Sequence, residues 1–436
     1  MVERLASAGH QAYPVGGAVR DLLLKRKVGD WDVATSARPE QVVEMFSRVI
    51  PTGIAHGTVT VLQGGGAVEV TTFRGDLGYS DGRHPDQVVF LDSLAADLQR
   101  RDFTVNAIAL ELSDQTLIDP FGGQEDLQRR IIRAVGDPRK RFFEDGLRPL
   151  RAVRFACVLG FSIEQATFDA IGEALPVFRQ VANERVREEL LKILTSPRAD
   201  QGIDLLRHSG LLEDILPELI PGIGFAQNRF HRHDVYQHSL KSLKHARGDG
   251  VFKFAVLIHD AGKPPTAEPG ENGNTFYGHE QVSVQLADQA MSRLRFSRSD
   301  RQRVKDVIAQ HMFHYQPEWS DGAVRRFVRK VGRDRLSDLW EMRRADCHGR
   351  GPGLREGLRD LEAFRARVEE TLRKDAALKV TDLAIDGHGV MESLGIGPGP
   401  RIGLLLEALL ESVMDDPSRN NPEALYALLR ELSSSI

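Results

Sequence analysis

Two groups of residues in this sequence have the types and spacing that chemistry at phosphorus needs. The first opens with Val15-Gly16-Gly17-Ala18-Val19-Arg20-Asp21 and continues with Asp30-Trp31-Asp32. Paired glycines let backbone amides approach a phosphate, and Arg20 can neutralise it. Residues two apart on a strand face the same side, so Asp30 and Asp32 would present their carboxylates together while Trp31 faces away. Two carboxylates on one face suit Mg²⁺, which takes hard oxygen ligands plus substrate phosphates. In a two-metal site the ions they hold would offset the charge that develops on an attacking 3′-oxygen and on a leaving pyrophosphate. A lone Asp-x-Asp is ordinarily a solvated turn, but the Gly-Gly and Arg placed just upstream favour a site. Glu69, in Val68-Glu69-Val70, is the candidate third carboxylate, although an alternating strand can equally turn it to solvent.

The second group is Leu257-Ile258-His259-Asp260-Ala261-Gly262-Lys263, which places adjacent His and Asp on a helix ending at Gly262. An isolated His-Asp pair is more often structural than metal-binding. The wider set changes the balance: His238 stands upstream in Asp234-Val235-Tyr236-Gln237-His238, and Asp346 downstream in Arg344-Ala345-Asp346. Imidazole and carboxylate ligands from separate helices suit an Mn²⁺-, Ni²⁺-, Co²⁺- or Zn²⁺-type ion that activates water.

The elements that must hold these groups change character along the chain. Up to about residue 119, β-rich runs (Gly57 to Gln63, Ala67 to Phe73, Gln87 to Leu91, Ile108 to Leu112) alternate with Gly-rich turns and a few helices, which predicts a small α/β domain. From Asp126 the periodicity is helical, with breaks at Pro176, Pro197, Pro217 to Pro221, Pro264 to Asn274 and Gly349 to Gly353. An α+β chain of several domains is expected, since 436 residues exceed what one core usually serves. The formal net charge of −4 excludes a uniformly basic coat for nucleic acid. Local patches remain: Arg139 to Arg154 holds six basic residues against two acids, and Arg293 to Lys305 holds another six. Two cysteines, Cys157 and Cys347, form no pairing framework and fit a reducing cytoplasm. No apolar signal core or membrane-length stretch is present, so no membrane partner is expected.

The segment from Val15 to Thr35 resembles the opening motif of the class II tRNA nucleotidyltransferases and bacterial poly(A) polymerases, within the polymerase-β-like superfamily. Later motifs recur in the family's order: Arg100-Arg101-Asp102-Phe103-Thr104-Val105-Asn106-Ala107, Asp119-Pro120-Phe121-Gly122-Gly123, Glu144-Asp145-Gly146-Leu147-Arg148 through Phe155, and Asn183-Glu184-Arg185-Val186-Arg187-Glu188-Glu189. The resemblance implies a nucleotide site of Gly16, Gly17, Arg20, Arg101, Asp102, Asn106, Asp145, Arg148, Arg151 and Arg154, with Asp30, Asp32 and Glu69 catalytic. Cytosine and adenine both present an amino donor beside a ring-nitrogen acceptor, and uracil and guanine the reverse. A carboxylate and a guanidinium, here Asp145 and Arg148 one helical turn apart, would therefore accept C and A and reject U and G. Pro149 falls early in a helix expected to begin near Asp145, where its missing N–H costs little.

The His-Asp group resembles the HD phosphohydrolase superfamily, which implies His238, His259, Asp260 and Asp346 as ligands and His279 and His311 at a second metal. HD domains joined to these transferases are associated with 2′,3′-cyclic phosphodiesterase, 2′-nucleotidase and phosphatase activity. The expected organisation is a catalytic head (1–120), a helical neck and body (121–225), an HD domain (226–350) and a helical tail that holds tRNA (351–436).

Three activities share the motifs: addition of CCA, addition of CC or A alone, and poly(A) synthesis. Pro51 to Val61 looks like the tRNA enzymes, and Phe73 to Pro85 resembles a loop possessed by enzymes that add the terminal A. Addition of CCA to tRNA from CTP and ATP is the expectation. Its rivals are an A-adding enzyme, a poly(A) polymerase, or a phosphohydrolase with a silent transferase domain that only holds RNA.

Overall fold

The computed structural model describes residues 1–434 except 55–56, 78–86, 228–231, 272, 314, 352 and 374–377. The loop expected between Phe73 and Pro85 lies largely outside the described residues. Contacts divide the chain into two units, Met1–Ile220 with Arg293–Phe296, and Pro221–Ser292 with Ser297–Ile436. The fourfold organisation expected from sequence is finer than this division.

The first unit is built on a mixed sheet. Its strands are β1 (Ala12–Val15), β2 (Trp31–Thr35), β3 (Val49–Gly53), β4 (Thr58–Gln63) and β5 (Gly66–Thr72). A separate antiparallel pair follows, β6 (Arg74–Leu77) with β7 (Gln87–Phe90), before β8 (Ala109–Leu110) and β9 (Leu117–Ile118) close the main sheet. The order is β3-β4-β5-β2-β1-β8-β9. Alternation assigns the faces. Val33, Val59, Val61 and Val70 turn to one side, where they bury Leu5, Val42 and Phe46 from flanking helices. Ala34 and Val15 turn to the other, against Phe73, Leu98 and Ala107. Each such apolar side chain contributes at most about 1.5–3 kcal/mol by leaving water.

β2 and β5 run parallel, with Asp32 opposite Glu69. Because Val33 and Val70 share one face, Asp32 and Glu69 share the other, so register alone sets the two carboxylates side by side. Asp30 precedes β2 by one residue rather than lying within it, so the strand argument for the Asp-x-Asp pair holds for Asp32 only.

Helices make the rest of this unit. Asn183–Thr195 buries Val186, Leu190, Ile193 and Leu194, the stripe expected of a helix packed on one side. Two short parallel strands, Ile131–Ile132 and Ser162–Ile163, interrupt the helical stretch. They are too brief for a periodic signal.

In the second unit the central helix Gly250–Ile258 is apolar nearly all round, and Phe252, Phe254, Ala255, Val256, Leu257 and Ile258 are buried. Asp249 caps it by accepting from Phe252 N at 2.8 Å. Val235–His245, His279–Arg293, Arg298–Gln310 and Leu336–Arg350 supply the other helices that matter for the site below. A further cluster, Leu405, Leu409, Leu410, Val413, Leu425 and Leu429, joins the last helices. Among the described residues no helix is long and apolar enough to cross a membrane.

Candidate functional site

In the first unit a cleft of about 940 Å³ is lined by all thirteen residues singled out there from sequence: Gly16, Gly17, Arg20, Asp30, Asp32, Glu69, Arg101, Asp102, Asn106, Asp145, Arg148, Arg151 and Arg154. β1 delivers Gly16, where φ is +71°, and a Cβ would stand 2.7 Å from an Arg101 guanidinium nitrogen and 3.4 Å from Asp32 Oδ2. Glycine is required there so that Arg101 can reach the carboxylate end of β2. Burial pushes the Asp32 carboxyl up; Arg101 offsets this, and the nearby charges of Glu69 and Asp30 add to it. Mutual repulsion of this kind is what a bound cation relieves, so the three carboxylates fit a divalent ion.

Arg20, Asn106, Asp102 and Arg151 form one chain of hydrogen bonds. Arg20 donates to Asn106 Oδ1 at 2.6 Å, Asn106 Nδ2 donates to Asp102 Oδ1 at 3.0 Å, and Arg151 donates twice to Asp102 Oδ2 at 2.8 and 2.6 Å. Asp102 is buried, which would raise its carboxyl, but Arg151 and Asn106 hold it far below the usual carboxylate range. The pair Asp102 and Asn106 thus fixes the aim of two arginines across the cleft.

The Asp145 and Arg148 pair needs a correction. They are not one turn apart on a helix: Asp145 is the extended residue that ends Pro138–Glu144, and Arg148 opens Arg148–Leu159, with Pro149 in its first turn. Asp145 Oδ1 accepts from Leu147 N at 3.0 Å, which turns the chain between the two helices. Asp145 also pairs with Arg185 at 3.2 Å, while Arg148 pairs with Glu144 and donates to the carbonyls of Arg141 and Arg100 at 2.8 and 3.0 Å.

Sequence reasoning missed several neighbours. Phe155 lies under the guanidinium carbons of Arg20, Arg151 and Arg154, at 5.3, 5.4 and 3.8 Å from its ring centre. Buried Glu189 pairs with both Arg154 and Lys192, and Lys192 lines the cleft. Glu189 stood within a quoted motif; its i−3 relation to Lys192 was the available signal.

In the second unit the structure brings together all six residues named for the other site, His238, His259, Asp260, His279, His311 and Asp346, each at most 4% exposed. His259 and Asp260 stand just past Ile258, where the helix ends, rather than on a helix reaching Gly262. Three of the histidines are aimed by a carbonyl three residues back: His259 Nδ1 meets the Val256 carbonyl at 2.8 Å, His279 Nδ1 that of Phe276 at 2.8 Å, and His311 Nδ1 that of Ile308 at 2.7 Å. An Nδ1–H donated to a carbonyl leaves the Nε2 lone pair facing inward, as metal-ligating imidazoles require.

Those Nε2 atoms converge on the two carboxylates. His238 Nε2 lies 3.1 Å from Asp260 Oδ2 and 3.3 Å from Asp346 Oδ1, and His259 Nε2 lies 3.3 Å from Asp260 Oδ2. His279 and His311 approach Asp260 Oδ1 at 3.4 and 3.7 Å. Asp260 Oδ1, His279 Nε2 and His311 Nε2 are buried without a hydrogen-bond partner. Ligands about 2.1 Å from a shared ion stand about 3.0–3.4 Å apart, so the spacing fits a metal centre. Cations complete it: Lys263 Nζ bonds Asp260 Oδ2 at 2.6 Å and Gln227 Oε1 at 2.8 Å, and Arg343 and Arg350 reach Asp346 Oδ2 at 3.0 and 2.8 Å. Burial would raise both carboxyls, but His259 and Lys263 around Asp260, and Arg350 and His238 around Asp346, hold them well below the usual range.

The chain matches three family models: the poly A polymerase head domain over residues 12–133, the probable RNA and SrmB-binding site of polymerase A over 160–222, and the HD domain over 235–351. It is 50% identical to the CCA-adding enzyme of Lactobacillus helveticus over 215 residues, 49% of this chain and 54% of that enzyme. The crystal structure of the Bacillus stearothermophilus CCA-adding enzyme in complex with CTP matches with a TM-score of 0.74 and 31% identity, covering 100% of this chain and 96% of the other. Against the CCA-adding enzyme of Geobacillus stearothermophilus the identity is 35% over 434 residues, 99% of this chain and 95% of that enzyme, and on this full-length likeness the chain belongs to the CCA-adding enzyme family.

Proposed function

We propose that this protein adds CCA to, or repairs, the 3′ end of tRNA from CTP and ATP without a nucleic-acid template, releasing pyrophosphate. The observation that carries the reading is the single cleft in which the thirteen residues meet. Asp30, Asp32 and Glu69 would hold Mg²⁺. That ion supplies charge neutralisation for the attacking 3′-oxygen and the leaving pyrophosphate. Arg20, Arg101, Arg151 and Arg154 bind the triphosphate, with Lys192 beside them, and Phe155 keeps three of the guanidinium groups stacked in place. Asp145 accepts from the exocyclic amine of C or A, and Arg148 donates to the neighbouring ring nitrogen. The base enters by taking these groups from their resting partners, Arg185 and Glu144. A silent transferase domain would have no need of a cleft so fully furnished, and that rival is set aside.

The second unit is read as a phosphohydrolase using an Mn²⁺-, Ni²⁺-, Co²⁺- or Zn²⁺-type ion. His238, His259, Asp260 and Asp346 would hold one ion, and His279 and His311, with Asp260, would hold a second. Its substrates are 2′,3′-cyclic phosphates, 2′-phosphates and other phosphate monoesters at damaged RNA ends, cleared before repair. A cytoplasmic location suits both the substrates and the buried, unpaired Cys157 and Cys347.

Sequencing the products made from tRNA lacking CCA, CC or A, with CTP and ATP together and apart, tests the main reading. Ordered completion to CCA is expected. Products ending in A tracts would make the protein a poly(A) polymerase, and extension of only the CC-ended substrate would make it an A-adding enzyme.

A further inference from the structure

Tyr277 is 83% exposed, more than any other large apolar or aromatic side chain among the described residues. It stands two residues before His279, so the Cα atoms of the two are within about 7 Å of each other. The backbone that carries it is tied to the histidine–aspartate cluster from both sides. The Phe276 carbonyl accepts from His279 N at 3.3 Å and meets His279 Nδ1 at 2.8 Å, and the Phe276 ring centre lies 5.7 Å from Lys263 Nζ, which in turn holds Asp260. A Cβ at Gly262 would come within 2.3 Å of the His279 carbonyl oxygen and 2.7 Å of Ser283 N. The helix that begins at His279 is therefore seated directly on the turn that carries His259 and Asp260. Upstream, the hairpin Glu268–Gly270 with Gly273–Thr275 is pinned by Asn274 Nδ2, which donates to the Ala226 carbonyl at 3.0 Å.

A ring this exposed on a backbone this anchored is a presented surface. The groups of the cluster are imidazoles, carboxylates and the Lys263 ammonium, and all of them address charge. None can distinguish a nucleotide from any other phosphate ester. A nucleobase offers a flat π-face, and stacking on an aromatic ring is the common way a single-stranded RNA end is held without reading its sequence. A tyrosine suits that task because its ring stacks while its hydroxyl stays in water.

We propose that Tyr277 stacks on the base of the terminal nucleotide whose phosphate sits at the histidine–aspartate cluster, which makes that site selective for nucleotide ends of any base over base-free phosphate esters. The inference rests on the phosphohydrolase reading above.

The test uses the full-length protein with added Mn²⁺ or Ni²⁺ and two probes, adenosine 2′,3′-cyclic phosphate and the 2′,3′-cyclic phosphate of methyl ribofuranoside, which lacks a base. Tyr277→Ala should raise KM for the adenosine probe on the order of tenfold with kcat little changed, and leave the base-free probe unaffected. Tyr277→Trp should restore the wild-type KM, and an unchanged melting temperature shows that the variants fold. Equal losses on both probes would make the ring a support for the site, and no loss on either would make it a bystander; each overturns the proposal. A wild-type protein that hydrolyses neither probe overturns the phosphohydrolase reading, and this inference with it.

Discussion

In the first unit Asp30 and Glu69 stand exposed at a cleft of about 940 Å³, whereas in the second unit every one of the six cluster residues is at most 4% exposed. The cleft gathers arginines that already have protein partners, and substrate must take them over. The cluster instead buries three ligand atoms, Asp260 Oδ1, His279 Nε2 and His311 Nε2, without hydrogen-bond partners. A site that accepts two different nucleotides in turn has to leave room and let the substrate complete the metal shell. A site that only activates water at one phosphate can be prebuilt, and then its ion becomes part of the packing.

The sharpest way to break this comparison is to remove one carboxylate from each site. Asp32→Ala should lower CMP and AMP incorporation on the order of a thousandfold, about 4 kcal/mol in barrier, and leave hydrolysis of cyclic nucleotides in place. Asp260→Ala should do the reverse. Each site draws its residues from one unit, so a variant that loses both activities together would mean the two are not independent.

Next in size is the ion pair inside the cleft wall. Asp102→Asn leaves Arg151 without its buried partner and should cost about 3 kcal/mol in urea unfolding at neutral pH. The sign of its pH dependence follows from the lowered carboxyl. The stabilisation is present above the unfolded value of about 3.9 and is lost as pH falls through the folded value beneath it. The gap between wild type and variant should narrow steadily below about pH 4; a gap independent of pH would show that packing, not charge, is responsible.

Metal addition probes the other side. At a free concentration of about 100 times its dissociation constant, Mn²⁺ or Ni²⁺ should stabilise the second unit by about 2.7 kcal/mol, read as a rise in its melting transition. Mg²⁺ alone should move the first unit little, because nucleotide is needed to complete its shell. An equal rise in His259→Ala would place the binding elsewhere.

The smallest effect concerns selectivity. Arg148→Ala removes one charge-assisted donor and should reduce discrimination between C and U about tenfold, measured as relative kcat/KM for CTP and UTP. Unchanged discrimination would shift base reading away from Arg148, and a uniform loss for both nucleotides would make it a general positioning group.

Much of both sites was legible before any coordinates. The Gly-Gly-Arg and Asp-x-Asp spacing and the separated His and Asp residues pointed to the carboxylate ends of both sites, and the ordered motifs, through the family resemblance, added the other residues that the structure brings together, though not Phe155, Glu189 or Lys192. The β-rich start and helical remainder followed from periodicity, which is also a local property. Other features were not legible for a physical reason. Asp32 and Glu69 are neighbours only because β2 and β5 pair in one particular register, and a one-residue slip would separate them onto opposite faces. The relay from Arg20 through Asn106 and Asp102 to Arg151 joins residues 20 to 151, and no local pattern encodes it.

The break between Asp145 and Arg148 shows where the boundary lies. The family resemblance implied a base-reading pair there, yet the geometry depends on whether a helix runs through or stops, and helix ends are decided by capping and by what packs alongside. The histidines teach the same lesson. The presence of His259, His279 and His311 is written in the chain, but their Nε2 atoms turn inward only because carbonyls three residues back accept from Nδ1. The amino-acid order therefore specified which groups gather at each site. Their directions and partners came from contacts between residues far apart in the chain, whose free energy depends on the whole packed arrangement.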